Sequence, residues 1–358
     1  MGKKEYDNFL EEVVGTYSDD FIVDNDSKLD VISTGILSLD VSIGVGGIPR
    51  ARITEIYGPE GAGKTTLALG IGKNANKLGL KVLYIDVENM LDYTYARGLV
   101  GNIDSGDFII IQPDTGEDAL KLARKAIQSG EFGVVIIDSV GALAPKEEKE
   151  KDIGDLQYAL VPRLITKFLR LVAYEVRTKN VALVFINQVR DNVGSYIKSF
   201  SVPGGHALKH YCSLRIQLKK GQQIKSSKEV IGINVPFTVV KNKLSAPYRG
   251  STMPLMFGSG IDELRDLLDF SEMLGVIQKS GPHYKFNDEV LGKGMIASME
   301  YLTNNPETLD KIKESCYTIA TNVKDKLEKT NEEDLKIDLE ELDIDFDSPS
   351  PGSGSDEY

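Results

Sequence analysis

The sequence offers little from which to build a covalent or metal scaffold. It has two cysteines, Cys212 and Cys316, and three histidines, His206, His210 and His283, in 358 residues. Two thiols make no disulfide framework, and nothing around them has metal-ligand spacing, which argues against a stapled secreted scaffold and a structural zinc site. Reduced thiols in a cytosolic protein are the expectation, since disulfides persist in oxidising compartments. No apolar run reaches the roughly eighteen residues that a membrane-spanning helix needs. The opening MGKKEYDNFLEEVV carries acids and lacks an apolar h-region, so neither a secretory signal nor an Arg-rich transit peptide is expected. A cytoplasmic location, bacterial or host, follows.

Positive charge is also scarce: 42 Lys and Arg against 54 Asp and Glu, a net charge of −12. At first sight that disfavours a nucleic-acid partner, but the deficit is local. From Asn331 onward, eleven acids face Lys336 alone, so about −10 belongs to the tail and about −2 to everything before it. A nearly neutral body can carry basic grooves.

What is present is an ordinary globular composition, 41% apolar and 27% charged, in a chain long enough for one large core domain with appendages. Phe9, Leu10, Val13 and Val14 recur at helical spacing, predicting a short amphipathic helix over residues 3–14 that must dock on its own core or a neighbour. Beyond it, the apolar runs ITEIYG, KVLYIDVE, DFIIIQP, FGVVIIDSV and VALVFINQV alternate with helical segments such as KTTLALGIGKNANKLG and GEDALKLARKAIQSG. That alternation predicts an α/β fold with a mostly parallel sheet covered on both faces. LRIQLKK, INVPFTVVKNK and TMPLMFG are further strand candidates, and the composition turns helical after about Ile261. The organisation expected is an N-terminal helix and linker over 1–25, a core over 26–262, a small α/β lobe over 263–328 and a disordered acidic tail over 329–358.

The strand ITEIYG runs into GPEGAGKTT, which fits G-x-x-x-x-G-K-[ST] at Gly58, Gly63, Lys64 and Thr65. The spacing has a mechanism: backbone N–H groups of Gly58, Pro59, Glu60, Gly61, Ala62 and Gly63 wrap the phosphates (proline contributing shape only), Lys64 reaches the β and γ oxygens, and Thr65, followed by Thr66, holds Mg²⁺ at a helix N-terminus. ATP and Mg²⁺ are therefore the expected cofactors. VVIIDS ends at Asp138, placed to reach the Mg²⁺ shell through water. YIDVEN puts Glu88 past a strand end, where a carboxylate could deprotonate the attacking water, although acids at strand ends also cap helices. FINQ ends at Gln188, an amide able to reach a γ-phosphate.

STGILSLD, GGIPRARITEIYGPEGAGKTT, LDYTYARG, QPDTGEDAL, IDSVGAL, FINQVR, VVKNK and NPET, in that order over about 300 residues, resemble the bacterial RecA recombinases. That resemblance implies a RecA-type ATPase core, an N-terminal polymerisation helix, a DNA-capturing C-terminal lobe and an autoinhibitory tail. It implies that Glu88 is the catalytic base, that Tyr95 stacks on adenine with Asp92 nearby, that Gln188 senses the γ-phosphate and that Phe257 lies near a neighbour's adenine. Lys241 and Lys243 of VVKNK would enter the neighbouring protomer's ATP site; read alone, they are a solvated strand end. Two loops would line DNA, the first offering Tyr158, Arg163 and, a helix turn or two onward, Arg170, the second offering Arg190, Val193, Tyr196 and Ile197 and ending at Gly204 and Gly205.

The function so implied is DNA-dependent ATP hydrolysis in a helical filament, with pairing and strand exchange between single-stranded and double-stranded DNA. A self-cleaving repressor, and with it a damage response, is a further candidate partner. The sequence departs from the family in VPGGHALKH, where a threonine-rich stretch, Asn and Phe are usual, in a shorter second loop and in Phe257 for Tyr. A ring helicase on the same fold, or a filament that mainly activates a repressor, stands as an alternative at this point.

Overall fold

The computed structural model describes residues 29–101, 103, 106–149, 160–191, 200–201, 203–226 and 229–320. The expected helix over 3–14, Tyr158, Val193, Tyr196, Ile197 and the acidic tail lie outside the described residues. No helix among the described residues is long and apolar enough to cross a membrane.

The core opens with helix α1 (Leu37–Ile43), all of it buried. Strand β1 (Arg52–Gly58) leads to helix α2 (Lys64–Lys77). Then come β2 (Lys81–Asp86), α3 (Tyr93–Val100), β3 (Phe108–Ile111), α4 (Gly116–Ser129), β4 (Phe132–Asp138), α5 (Leu160–Thr178) and β5 (Ala182–Gln188). Helix α6 (Gly205–Tyr211) precedes β6 (Leu214–Leu218), β7 (Gln222–Ser226), β8 (Glu229–Asn242), β9 (Gly250–Met256) and β10 (Gly260–Ile261).

These ten strands make one sheet in the order β10-β9-β8-β6-β1-β5-β4-β2-β3, with β7 on β8. From β6 to β3 every pairing is parallel, and from β8 outward every pairing is antiparallel. The alternating apolar runs have the cause expected of them. Val134 and Ile136 face one layer with Leu67, Ala68 and Ile71 of α2, while Val135 and Ile137 face the other with Ala123 and Ile127 of α4 and Phe168 and Leu169 of α5. Successive strand residues point to opposite faces, so a strand covered on both sides must be apolar throughout. Truncating a fully buried residue such as Ile136 to alanine costs about 2–5 kcal/mol.

Two helix starts with side-chain caps are those of α4, where Thr115 accepts from Asp118 N, and of α7 (Glu263–Met273), where Asp262 accepts from Arg265 N. Each such cap is worth about 1 kcal/mol. Beyond α7 the lobe is α/β, as expected. Gln278–Ser280, His283–Phe286 and Glu289–Lys293 form a small antiparallel sheet, followed by helix α8 (Met295–Asn304) and a helical stretch over 306–320. The lobe shares its core with α1: Leu37 and Val41 pack with Leu267, Leu268, Phe286 and Ile312. Ser38 of α1 gives both its N–H and its hydroxyl to the buried Asp266 of α7.

Candidate functional site

At the carboxyl edge of the parallel strands, β1, β5, β4 and β2 lie side by side. They carry Gly58, Gln188, Asp138 and, just past the last, Glu88. The loop after Gly58 winds into α2 through Gly63, whose φ is 78°. The positive φ is what favours glycine there; a Cβ would also come 2.3 Å from Leu255 Cδ1, which would have to shift. Ala62 N donates to Pro59 O, tightening the turn, while Glu60 and Gly61 stand exposed at its tip.

Lys64 is buried, and its Nζ donates to the carbonyls of Gly58 at 3.1 Å and Pro59 at 2.7 Å. Burial holds its ammonium below the usual lysine range, against the opposing pull of Asp138, Glu88 and Glu60. The Thr65 hydroxyl donates to Asp138 Oδ2 at 2.7 Å, and the Tyr84 hydroxyl donates to the same oxygen at 2.6 Å. Burial raises the Asp138 carboxyl above the ordinary range, and these two donors only partly oppose it. Two hard oxygens converging at a helix N-terminus fit a small divalent cation such as Mg²⁺.

Glu88 Oε1 accepts from Ser139 Oγ at 2.5 Å and from Gln188 Nε2 at 2.9 Å. The donors to Asp138 and Glu88 are thus side chains of the site, not the backbone of a helix start. Asp92, by contrast, is a helix cap, accepting from Thr94 N and Tyr95 N at the head of α3. Tyr95 is thereby turned toward α2, its hydroxyl 2.9 Å from Thr66 Oγ1.

Sequence reasoning missed Ser139, Tyr84 and Asp86. Asp86 accepts from Leu91 N and Gln112 Nε2 and so braces the turn that carries Glu88. Its position at the end of KVLYID was the available signal.

Lys241 and Lys243 stand elsewhere. Lys241 lies opposite Arg215 of β6, which lies opposite Glu55 of β1. That is three residues short of Gly58, about 10 Å along the strand, toward the amino edge of the sheet. Lys241 Nζ donates to the carbonyls of Lys209 and His210 at the end of α6. Burial, with Lys243 and Arg215 adding to it, lowers its pKa. Lys243 is exposed, and so is Phe257 at the end of β9.

The first DNA loop expected from the sequence is corrected in part. Arg163 lies on helix α5 and not in a loop, because Ile165, Phe168, Leu169, Val172 and Val176 supply a buried helical stripe; Arg170 follows two turns further along the same helix, as expected. Both arginines are exposed, and Lys167, missed in the sequence, shares their face at helical spacing. In the second segment, Arg190–Asp191 pairs with Phe200–Ser201 as a short antiparallel ribbon; Arg190 is described by its backbone alone. Gly204 and Gly205 both have positive φ and open α6. A Cβ on Gly205 would lie 3.1 Å from Pro162 Cβ, so the two segments meet there.

A glycine-wound loop between a parallel strand and a buried lysine-headed helix, flanked by strand-end carboxylates, defines a P-loop nucleotide-binding protein of the α/β class. The RecA N-terminal domain family matches residues 10–262, and the RecA C-terminal domain family matches residues 265–319. Protein RecA of Thermus aquaticus is 43% identical over 288 residues, covering 80% of this chain and 84% of that protein. Protein RecA of Clostridioides difficile is 41% identical over 288 residues (80% and 82%), and that of Deinococcus radiodurans 42% over 293 residues (81% and 80%). A solved RadB recombinase chain aligns with a TM-score of 0.49 at 22% identity, covering 64% of this chain and 98% of that one. The chain belongs to the RecA family. It is an ATP-binding, DNA-dependent ATPase of the P-loop recombinase class, acting on DNA as a filament in recombination and repair.

Proposed function

We propose that the protein polymerises on single-stranded DNA with ATP and Mg²⁺ and exchanges that strand into homologous double-stranded DNA. Lys64 contacts the β- and γ-phosphates, Thr65 binds the Mg²⁺ directly and Asp138 binds it through water. Glu88 takes the proton of the attacking water, and Gln188 reports the γ-phosphate. Tyr95, placed by Asp92, stacks on adenine, with Phe257 of the adjacent protomer on its far side. Lys241 and Lys243 serve the neighbour's nucleotide, neutralising charge as it develops in the transition state. Tyr158, Arg163, Arg170, Arg190, Val193, Tyr196, Ile197 and the turn at Gly204 and Gly205 contact DNA through phosphates and stacking, without reading base edges.

Residues 1–25 supply the polymerisation helix, 26–262 the ATPase core, 263–328 the duplex-capturing lobe and 329–358 the inhibitory tail. A cytoplasmic site of action and a self-cleaving repressor as a partner belong to the same reading.

The observation that carries it is the pairing of Gln188 with Glu88 over 2.9 Å at the strand end from which the second DNA segment leaves. One residue touches the acid of the site while its neighbours enter the DNA interface, so nucleotide state and DNA affinity share a mechanical path. The placement of Lys241 away from its own Gly58 supports a role toward a second copy. Electron microscopy with an ATP analogue and single-stranded DNA, paired with a strand-exchange assay, tests the reading. Helical filaments and exchanged product are expected. Closed rings, or filaments without exchange, would overturn it.

A further inference from the structure

We propose that Glu55 and Asn187 form a positioning pair that ties the nucleotide site to both ends of the DNA-facing segment; this rests on the reading of Gln188 and of residues 189–205 given above. Glu55 lies inside β1 and is fully buried. A carboxylate in the middle of a sheet is costly unless its oxygens are satisfied, and both are. Oε2 accepts from Arg215 Nε at 2.5 Å, and Oε1 accepts from Asn187 Nδ2 at 3.0 Å. The Arg215 guanidinium is fixed in turn over the Tyr57 ring, 4.7 Å from its centroid.

Asn187, also fully buried, spends its amide in three directions. Nδ2 donates to Glu55 and also to the carbonyl of Pro203 at 2.8 Å, while Oδ1 accepts from the backbone N–H of Gln188 at 3.0 Å. One side chain therefore holds the residue that enters the DNA segment and the residue that leaves it. The ribbon of Arg190–Asp191 with Phe200–Ser201 lies between those two points.

On the nucleotide side, Gln188 is bonded to Glu88. Val189 N donates to Gly58 O, the carbonyl that also takes Lys64 Nζ. On the far side, Pro203 leads through Gly204 and Gly205 into α6, whose last carbonyls take Lys241. A shift of the Gln188 backbone toward a phosphate must either carry Asn187, and with it Pro203, or break the bond to Glu55. Because Glu55 is anchored by Arg215, the pair links the Gln188 and Pro203 ends of that segment to one fixed point in the sheet.

The test uses the full chain and three variants, Glu55→Gln, Asn187→Asp and the double variant. In the double variant the bond between positions 55 and 187 re-forms with donor and acceptor exchanged, but the Pro203 carbonyl receives no donor. ATP affinity, DNA-free hydrolysis, hydrolysis stimulated by single-stranded DNA and thermal midpoint are measured together. The double variant is expected to keep ATP affinity and DNA-free turnover within about twofold while losing about tenfold of the DNA stimulation, a usual size for coupling between two sites. Glu55→Gln, which sets an amide N–H₂ against a donor on one side, is expected to lose part of the stimulation with the same selectivity, and it stands in if the aspartate variants fail to fold.

Unchanged stimulation in Glu55→Gln and in the double variant would overturn the pairing. So would a loss that merely follows ATP affinity or the thermal midpoint. Gln188→Ala, measured alongside, separates the two levels: if it keeps full DNA stimulation, the reading of Gln188 fails, whereas a loss there with none at 55 and 187 fails this proposal alone.

Discussion

Gln188 and Glu88 are bonded to each other, the amide Nε2 of one donating to Oε1 of the other at 2.9 Å. Ser139 Oγ donates to the same oxygen, so the carboxylate proposed to activate water is held by two neutral donors. A γ-phosphate oxygen competing for the Gln188 amide would remove one of them and free that carboxylate oxygen to accept from water.

The chemistry of the site follows from that arrangement. Glu88→Gln keeps the shape and both partners but cannot accept a proton, so hydrolysis should fall by about two to four decades, the range for losing a general base. ATP binding and filament assembly should persist. Lys64→Ala should abolish hydrolysis with the fold intact. Steady-state ATPase assays with analogue binding check both, and near-normal turnover in Glu88→Gln would remove that residue from the mechanism.

Action in trans makes a mixing prediction. Lys243 is exposed, so Lys243→Ala should leave the fold alone and abolish DNA-dependent turnover, whereas Lys241→Ala also strips a donor from the end of α6. Protein carrying Lys64→Ala retains both lysines and should partly restore turnover to a lysine-deficient partner in mixed filaments. Absence of restoration despite shown co-assembly would assign the lysines to another task.

The acidic tail makes a salt-dependent one. Lys279, Lys285 and Lys293 all lie on the small sheet of the lobe, and a tethered polyanion able to reach them would compete with DNA phosphate at high effective concentration. Truncation after Glu328 should strengthen duplex binding most at low salt, and the gain should shrink as salt screens both contacts. Excess free Mg²⁺ should make the full chain behave like the truncated one. Duplex affinities of the two across a salt and Mg²⁺ series decide it, superimposed curves at low salt and low Mg²⁺ counting against inhibition.

Asp40 and Asp266 set a pH dependence. Burial pushes Asp40 from 3.8 up to about 7 and Asp266 up to about 6, against the donors Ser33 and Thr34 on the first and Ser38 on the second. Folding therefore favours the protonated forms. The stability they add is full below about pH 4 and is lost as pH climbs through 6 and 7. Asp40→Asn can still accept from Thr34 and carries no charge. Its thermal midpoint relative to the parent should rise between pH 5 and pH 8, by an amount on the order of a few kcal/mol in stability. A difference that is constant across that range would show that Asp40 does not titrate there.

The phosphate loop, the parallel strands and the acids Asp138 and Glu88 were legible in the sequence, because each is a local property. A glycine spacing fixes the path of a few consecutive amides, and strand or helix periodicity is written within a dozen residues. The loop reading of Arg163 failed at the same local level, where the apolar stripe from Ile165 to Val176 becomes decisive only against the buried face of the sheet. The partners of the site were not legible at all. Tyr84 and Asp138 are 54 positions apart, Asn187 and Glu55 are 132 apart, Arg215 and Glu55 are 160 apart, and Ser38 and Asp266 are 228 apart. In sequence Glu55 is a charged residue interrupting an apolar strand, and Asn187 one amide beside another. Only strand order, which places β6, β1 and β5 side by side, makes them neighbours, because register across a parallel sheet is set by packing on both of its faces and by no residue alone.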